Sequence, residues 1–193
     1  MPKVTAPGLA ENYPRALDRT ITLADGEVVH LRPIHPGDAA ALVAFHARLS
    51  SDSVYRRYFS FHPELSETEV TWLTTVDYVD RLALVIEVSE DLVAVGRYDR
   101  LPGTESAEVA FLVTDNYQHR GLGMLLLQHL ATAARRHGIT TFVAETQASN
   151  RDMMGVFVGS GFEVTSSLDA GIISVKFRIA PYDADGTSVA GPA

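Results

Sequence analysis

The sequence contains no cysteine, which excludes disulfides, thiolate metal sites and a covalent cysteinyl intermediate. It also lacks any apolar run close to the roughly 20 residues that a membrane-spanning helix needs. The N-terminus has no charged-then-apolar signal pattern. We therefore expect a cytoplasmic protein with no membrane partner.

Nucleic-acid and metal sites are disfavoured by the charge and by the spacing of the histidines. The net charge is −8 without an acidic block, which disfavours binding to nucleic acid. A mildly acidic surface suits a partner that presents basic residues, although simple solubility explains it equally well. The seven histidines show no HxH or HExxH spacing, so we expect no metal site.

The length and composition fit one folded domain between two tails. The chain has 193 residues, 46% of them hydrophobic, which suffices for a core without disulfides or metals. Residues 1–19 carry three prolines and little periodicity, which indicates a tail or a loosely docked arm. We assign the domain to residues 20–182 and expect residues 183–193 to be a disordered end.

Within this domain, strand patterns alternate with helix patterns. Helices are predicted to begin near residues 36, 51, 66, 120 and 150, with a capping box at Ser66–Glu69 and an N-cap at Asn150. Strands are predicted at residues 28–33, 82–88, 92–98, 107–114, 140–144, 162–165 and 172–178. This order predicts a mixed α/β (α+β) domain with helices on both faces of a sheet.

The strongest local signal is the loop Gln118-His119-Arg120-Gly121-Leu122-Gly123, between a strand and the longest helix. A helix N-terminus presents free backbone N–H groups and the positive end of the helix dipole. The two glycines let a diphosphate approach the backbone, and Arg120 adds a positive charge. Three interpretations compete: a dinucleotide fingerprint, a P-loop, or glycines that only ease a tight turn. The first needs Gly or Ala where Leu126 stands, and the second needs a Gly-Lys-Ser/Thr that is absent.

The order of elements around this loop resembles motif A of the GNAT superfamily of N-acetyltransferases, which binds the pyrophosphate of acetyl-CoA. The resemblance covers residues 27–180 and includes the Asn150 helix start and the segment Gly159–Glu163. It implies the GNAT fold, a central, mostly antiparallel twisted sheet of about seven strands flanked by helices, with acetyl-CoA as co-substrate. It assigns cofactor binding to Phe111, Leu112, Val113, Gln118, His119, Arg120, Gly121, Leu122, Gly123 and Asn150.

Other segments look like the catalytic domain of bacterial, especially actinobacterial, Pat-type protein lysine acetyltransferases. They are Leu31–Asp38, Ser51–Tyr58, Val76–Tyr78 and Ala107–Phe111. This likeness implies a lysine acceptor on a protein such as an acyl-CoA synthetase. A small-molecule amine acetyltransferase and a CoA-binding module without turnover are the alternatives, and fold alone does not choose among them.

Glu108 is the candidate general base. It interrupts an apolar strand, and burial of a carboxylate would raise its pKa toward a value useful for proton transfer. The alternative is a structural ion pair with Arg97 or Arg100 on the neighbouring strand. The Pat-type resemblance implies that the Glu at this position is the base. The wider GNAT resemblance places an amide near Leu112 on the thioester carbonyl and leaves the general acid undetermined.

Overall fold

One eight-stranded sheet organises the protein, and helices lie on both of its faces. The computed structural model describes residues 11–180. The strands, in the spatial order β1-β2-β3-β4-β5-β6-β8-β7, are β1 (Arg19–Thr22), β2 (Val28–Pro33), β3 (Arg81–Val88), β4 (Asp91–Arg100), β5 (Ser106–Val113), β6 (Thr141–Gln147), β7 (Glu163–Asp169) and β8 (Ile172–Arg178). The helices are α1 (Ala39–Ala47), α2 (Ser51–Tyr58), α3 (Glu67–Thr74), α4 (Leu122–Arg136) and α5 (Arg151–Val158).

The sheet is antiparallel except where β5 meets β6. These two strands run parallel and pair only through residues 106–108 of β5, with Glu108 opposite Val143 as the last pair. On its other side β5 stays paired with β4 as far as Val113. The β6-facing edge of β5 is therefore free of strand pairing beyond Glu108, and a cleft opens between the two strands.

The longest helix, α4, covers one face of the sheet. Leu126, Leu127 and Leu130 on this helix are fully buried. Gly96 on β4 allows the close approach, because a Cβ there would lie 2.9 Å from Phe111 Cδ1 and 3.0 Å from Leu126 Cβ. This packing places the N-terminus of α4 at the mouth of the cleft.

The described helices cover only half of the opposite face of the sheet. The buried residues Leu42 and Phe45 of α1 pack with Ala83 and Val85 of β3 in a second core cluster. On β6, β8 and β7 the side chains of the same face are exposed, among them Glu145, Ser174, Lys176 and Thr165. Within residues 11–180, no helix covers this half of the face.

Both predicted helix caps are confirmed. The Ser66 hydroxyl accepts from Glu69 N–H at 3.3 Å, and the Glu69 carboxylate accepts from Ser66 N–H at 2.8 Å. Asn150 Oδ1 accepts from Met153 N–H at 3.2 Å. The cap of α2 is Ser50, one residue before the predicted start.

The sheet has one strand more than the seven predicted. The additional strand is β1, which pairs with β2. It was missed because it has four residues and only Ile21 among them is partly buried, so no apolar alternation marks it. Tyr13 and Leu17, in the predicted arm, are buried against the main core. Residues 1–10 and 181–193, which hold the rest of the predicted tails, lie outside the described residues.

Candidate active site

A cavity of about 660 Å³ fills the cleft between β5 and β6. The N-terminus of α4, the start of α5 and the end of α2 complete its walls. Of the eleven residues that the sequence analysis assigned to the site, ten line this cavity. They are Glu108, Phe111, Leu112, Val113, Gln118, His119, Gly121, Leu122, Gly123 and Asn150.

The N-terminus of α4 is built to bind an anion. Gly121 is its N-cap residue, with a φ of +83°, and no side chain caps the helix. The first intrahelical hydrogen bond is donated by Leu125 N–H to Gly121 O at 2.9 Å. The N–H groups of Leu122, Gly123 and Met124 therefore have no partner within the helix, and all three residues line the cavity. A diphosphate fits this arrangement.

The two glycines of the loop are needed for different reasons. Gly121 has a left-handed backbone conformation, which other L-residues adopt at a cost of roughly 1–2 kcal/mol. A Cβ at Gly123 would lie 3.3 Å from Val156 Cγ2, so this glycine lets α5 pack against the first turn of α4. The spacing of the glycines thus reflects both the turn and the packing.

Gln118 and His119 hold the loop in place by different contacts. Gln118 Nε2 donates to Val113 O at 3.2 Å and to Ser53 Oγ at 3.1 Å, which ties the end of β5 to α2. His119 also has a left-handed backbone, with φ of +59°. Its Nδ1 lies 3.7 Å from Asp152 Oδ1.

Arg120 is the predicted site residue that does not line the cavity. Its Nε lies 2.8 Å from Asp25 Oδ2, and its Nη1 lies 2.7 Å from Glu27 Oε2. Both carboxylates belong to the turn between β1 and β2. The guanidinium also lies over the Tyr117 ring at 5.0 Å. In this structure the contacts with the hairpin hold the guanidinium away from the cavity, and its place beside a diphosphate stays a prediction.

Other cations line the cavity, and the sequence analysis did not assign them to the site. Arg56 and Arg57 come from α2, and Arg151 comes from α5. Arg56 Nη2 lies 2.8 Å from Asp52 Oδ2, and Arg56 Nη1 lies 3.8 Å from Asp152 Oδ2. Arg56 and Arg57 had one signal in the sequence, the basic pair at the end of α2, which carried the Pat-type resemblance but no assigned role.

The walls of the cleft also suit an extended ligand that carries amide groups. On β5, the edge from Val109 to Val113 has no strand partner on the cleft side. An extended chain can add to such an edge as a further strand. On β6, the buried Thr146 hydroxyl has no hydrogen-bond partner within residues 11–180 and lines the same cavity. A ligand amide would satisfy these groups.

Glu108 lies in the cleft, but the premise that it is buried is wrong. Its side chain is exposed, because it faces the half of the sheet that no described helix covers. The alternative ion pairs are absent as well, since Arg97 contacts Asp99 and Arg100 contacts Asp80. Within the described residues Glu108 has neither a hydrogen bond nor an ion pair through its side chain. Its carboxylate is free to accept a proton.

A second cavity, of about 620 Å³, opens on the uncovered half of the sheet. It shares three lining residues with the cleft, namely Glu108, Ala144 and Glu145. Glu145, which is exposed on β6, was not among the predicted site residues. The two cavities thus share a wall that carries two carboxylates, those of Glu108 and Glu145.

Comparison with known proteins decides the family. The family model described as "Acetyltransferase (GNAT) family" matches residues 51–162. The chain belongs to the GNAT acetyltransferase family. This GNAT protein is 30% identical to "Acetyltransferase Pat" of Mycolicibacterium smegmatis over 166 residues, which is 84% of this chain and 49% of the relative. It therefore spans about half the length of that relative.

Two further comparisons agree with this assignment. An acetyltransferase of Pseudomonas aeruginosa is 31% identical over 145 residues, which cover 73% of this chain and 78% of the relative. The crystal structure of the GNAT domain of S. lividans PAT matches with a TM-score of 0.81 at 36% identity, covering 86% of this chain and 99% of that one. Both relatives therefore agree with membership of the GNAT acetyltransferase family.

Two further observations concern residues 11–180. No cluster of three or more His, Asp or Glu side chains in that range has the arrangement of a metal site. No helix in the same range is both long enough and apolar enough to cross a membrane.

Proposed function

We propose that this GNAT enzyme acetylates the side-chain amine of a lysine on a folded protein, in the cytoplasm, with Glu108 as the general base. Acyl-CoA synthetases are the first candidate substrates. The observation that carries the proposal is the junction of the two cavities at Glu108. The cleft would hold acetyl-CoA, and the second cavity would admit the acceptor.

In this proposal the loop residues 118–123 hold acetyl-CoA mainly through the backbone. The free N–H groups at the start of α4 bind the diphosphate, with Arg56, Arg57 and Arg151 supplying positive charge. The unpaired edge at Phe111, Leu112 and Val113 binds the pantetheine amides, and the Leu112 region lies at the thioester carbonyl. Asn150 fixes the start of α5 at the cleft. Acetyl-CoA supplies an activated acyl group as a thioester.

The acceptor must lose a proton before it can attack. A free lysine has a pKa of about 10.4, so near neutral pH it is almost entirely an ammonium ion. The Glu108 carboxylate is exposed at the junction and has no side-chain partner among the described residues, so it can take this proton directly. The neutral amine then attacks the thioester carbonyl carbon. The CoA thiolate leaves and takes up the second amine proton.

The charge of the acceptor side supports a cationic substrate. Two carboxylates, Glu108 and Glu145, line the second cavity beside a single cation, Lys176, and the whole chain has a net charge of −8. Such a field attracts a basic surface and raises its local concentration. The similarity to "Acetyltransferase Pat" and to the S. lividans PAT domain supports the Pat-type resemblance, and that resemblance implies a lysine acceptor.

The test is an assay with radiolabelled acetyl-CoA against three kinds of acceptor. These are an intact acyl-CoA synthetase, a short peptide from its modified region, and free small amines such as polyamines. We expect label on one lysine of the intact protein, slower labelling of the peptide, and turnover that falls as ionic strength rises. Efficient acetylation of a small amine, without any labelled protein in a lysate, would contradict the proposal. Binding of acetyl-CoA with no turnover on any acceptor would contradict it as well.

A further inference from the structure

A small side cavity of about 40 Å³ continues the cleft beneath the helices α1, α2 and α3. Most of its wall is apolar and comes from these helices and from strands β4 and β5. Among the described residues, it shares five with the cleft cavity and none with the second cavity. The five are Arg57, Tyr58, Ala110, Phe111 and Leu112. The side cavity therefore extends the site proposed for acetyl-CoA and not the site proposed for the acceptor.

The side cavity begins next to the place proposed for the acyl group of the donor. In the proposed function the thioester carbonyl lies near Leu112, and Leu112 lines both the cleft and the side cavity. The side cavity thus offers space to an acyl chain longer than acetyl. A volume of about 40 Å³ holds about three groups of the size of a water molecule.

Two buried nitrogen atoms in the wall of this side cavity have no hydrogen-bond partner among residues 11–180. They are Arg97 Nη2 and His46 Nε2. The Arg97 side chain is 7% exposed, and His46 is 4% exposed. Arg97 pairs with Ala110 across β4 and β5, so it projects on the same face as Leu112 and lies diagonally opposite to it. Because a buried polar group without a partner is unfavourable, both nitrogens favour a polar ligand over an apolar one.

The charges around Arg97 favour an anion as that ligand. Arg97 Nε donates to Asp99 Oδ2 at 3.2 Å, but Arg81 Nε donates to the other oxygen of the same carboxylate at 2.8 Å. Arg57, which lines the side cavity as well, adds a third positive charge. These three guanidinium groups are accompanied by the single carboxylate of Asp99. A carboxylate in the side cavity would neutralise part of this excess and would form a charge-assisted hydrogen bond with Arg97.

We propose that the enzyme also uses acyl-CoA donors whose short acyl chain ends in a carboxylate, and that malonyl-CoA fits best by size. The CH₂ of a malonyl group takes the place of the acetyl methyl group, and the one carbon and two oxygens of the carboxylate match the volume of the side cavity. The carboxylate accepts hydrogen bonds from Arg97 Nη2 and from the tautomer of His46 that has its proton on Nε2. This inference rests on the proposed function, which places the thioester carbonyl near Leu112.

The transfer follows the same steps as acetylation. Glu108 takes one proton from the acceptor ammonium, and the amine nitrogen forms a bond to the thioester carbonyl carbon. The bond from that carbon to sulfur breaks, and the CoA thiolate takes up the second proton. The lysine then carries a malonyl group, so the charge of its side chain changes from positive to negative, whereas acetylation only neutralises it.

The first test measures the binding of malonyl-CoA, isovaleryl-CoA and acetyl-CoA to the full chain by calorimetry, without an acceptor. Isovaleryl-CoA is the matched control for malonyl-CoA, because its branched end has nearly the same shape but no charge. We expect malonyl-CoA to bind about tenfold more tightly than isovaleryl-CoA, as one charge-assisted hydrogen bond predicts. Equal or weaker binding of malonyl-CoA would overturn the inference, and this comparison needs no variant.

Two variants assign the preference to the side cavity. Arg97→Met removes the guanidinium that lines the cavity and should abolish the preference for malonyl-CoA. Arg81→Met removes the other guanidinium on Asp99, which does not line the cavity, and should keep the preference. Binding of acetyl-CoA shows that each variant is folded. A preference that survives in folded Arg97→Met would overturn the inference.

A transfer assay separates this inference from the proposed function. With the proteins of a lysate as acceptors, we expect mass spectrometry to find malonyl-lysine after incubation with malonyl-CoA and acetyl-lysine after incubation with acetyl-CoA. Acetyl-lysine without malonyl-lysine would overturn the inference and leave the proposed function standing. Transfer of neither group, with the Arg97-dependent preference intact, would contradict the proposed function and leave the carboxylate site standing.

Discussion

The placement of acetyl-CoA predicts that two chemically identical substitutions have different effects on ligand binding. Gly121 and Gly103 both have a left-handed backbone, with φ of +83° and +71°, and a Cβ at either would meet nothing within 4 Å. Gly121 lines the cleft cavity, whereas Gly103 lies in the turn before β5, at the far end of that strand. Gly121→Glu and Gly103→Glu are therefore a matched pair.

The loss of stability should be similar in the two variants. A non-glycine residue in the left-handed region costs roughly 1–2 kcal/mol. For a domain of this size, each kcal/mol lowers Tm by about 2–4 °C. We expect both variants to melt about 2–8 °C below the parent without ligand, because only the backbone penalty acts.

The response to acetyl-CoA should separate the two variants. At a ligand concentration of about 100 times Kd, binding stabilises the native state by about 2.7 kcal/mol, a rise of about 5–11 °C. The parent and Gly103→Glu should show this rise in a thermal-shift assay. Gly121→Glu should show none, because its carboxylate lies where the diphosphate binds. A full rise in Gly121→Glu would mean that the cofactor binds elsewhere.

Three further predictions follow from individual contacts. Ser66→Ala removes the N-cap of α3 and should cost about 1 kcal/mol, a fall in Tm of about 2–4 °C by calorimetry; an unchanged Tm would refute the role of the cap. Burial lowers the pKa of His46, so the folded state binds fewer protons than the unfolded one, and Tm should fall as pH drops below about 6.5. His46→Gln should flatten part of that decline, while His129, whose pKa burial also lowers, accounts for another part; an identical pH profile would contradict this. Arg120→Gln should keep the acetyl-CoA-induced rise in Tm, because the guanidinium contacts Asp25 and Glu27 rather than the cavity; loss of the rise would show that Arg120 moves to the diphosphate.

Local features of the sequence were sufficient for much of the fold. The Ser66–Glu69 capping box and the Asn150 cap depend on hydrogen bonds between residues three apart. Both caps can therefore be predicted from the local sequence alone. The glycines of the loop before α4 are also recognisable locally. Strand β1 was missed because it is short and mostly exposed, and its pairing with β2 is what stabilises it.

Long-range contacts decide what the sequence left undetermined at the site. The direction of the Arg120 side chain depends on Asp25, which is 95 positions away in the chain. The exposure of Glu108 depends on which half of the sheet the helices cover. The alternation along β5 assigns Glu108 to a face, but it does not say whether anything packs on that face. The expected burial of Glu108 failed for this reason.

The most direct test of the account is the pH–rate profile of Glu108→Gln beside that of Glu145→Gln. Both carboxylates are exposed where the cavities meet, and each substitution removes one negative charge with little change in shape. We predict that Glu108→Gln binds acetyl-CoA normally but turns over roughly 10²-fold more slowly, without the limb of the profile that belongs to the base. Glu145→Gln should keep that limb. Parental turnover in Glu108→Gln, or loss of the limb in Glu145→Gln alone, would contradict the assignment of Glu108 as the base.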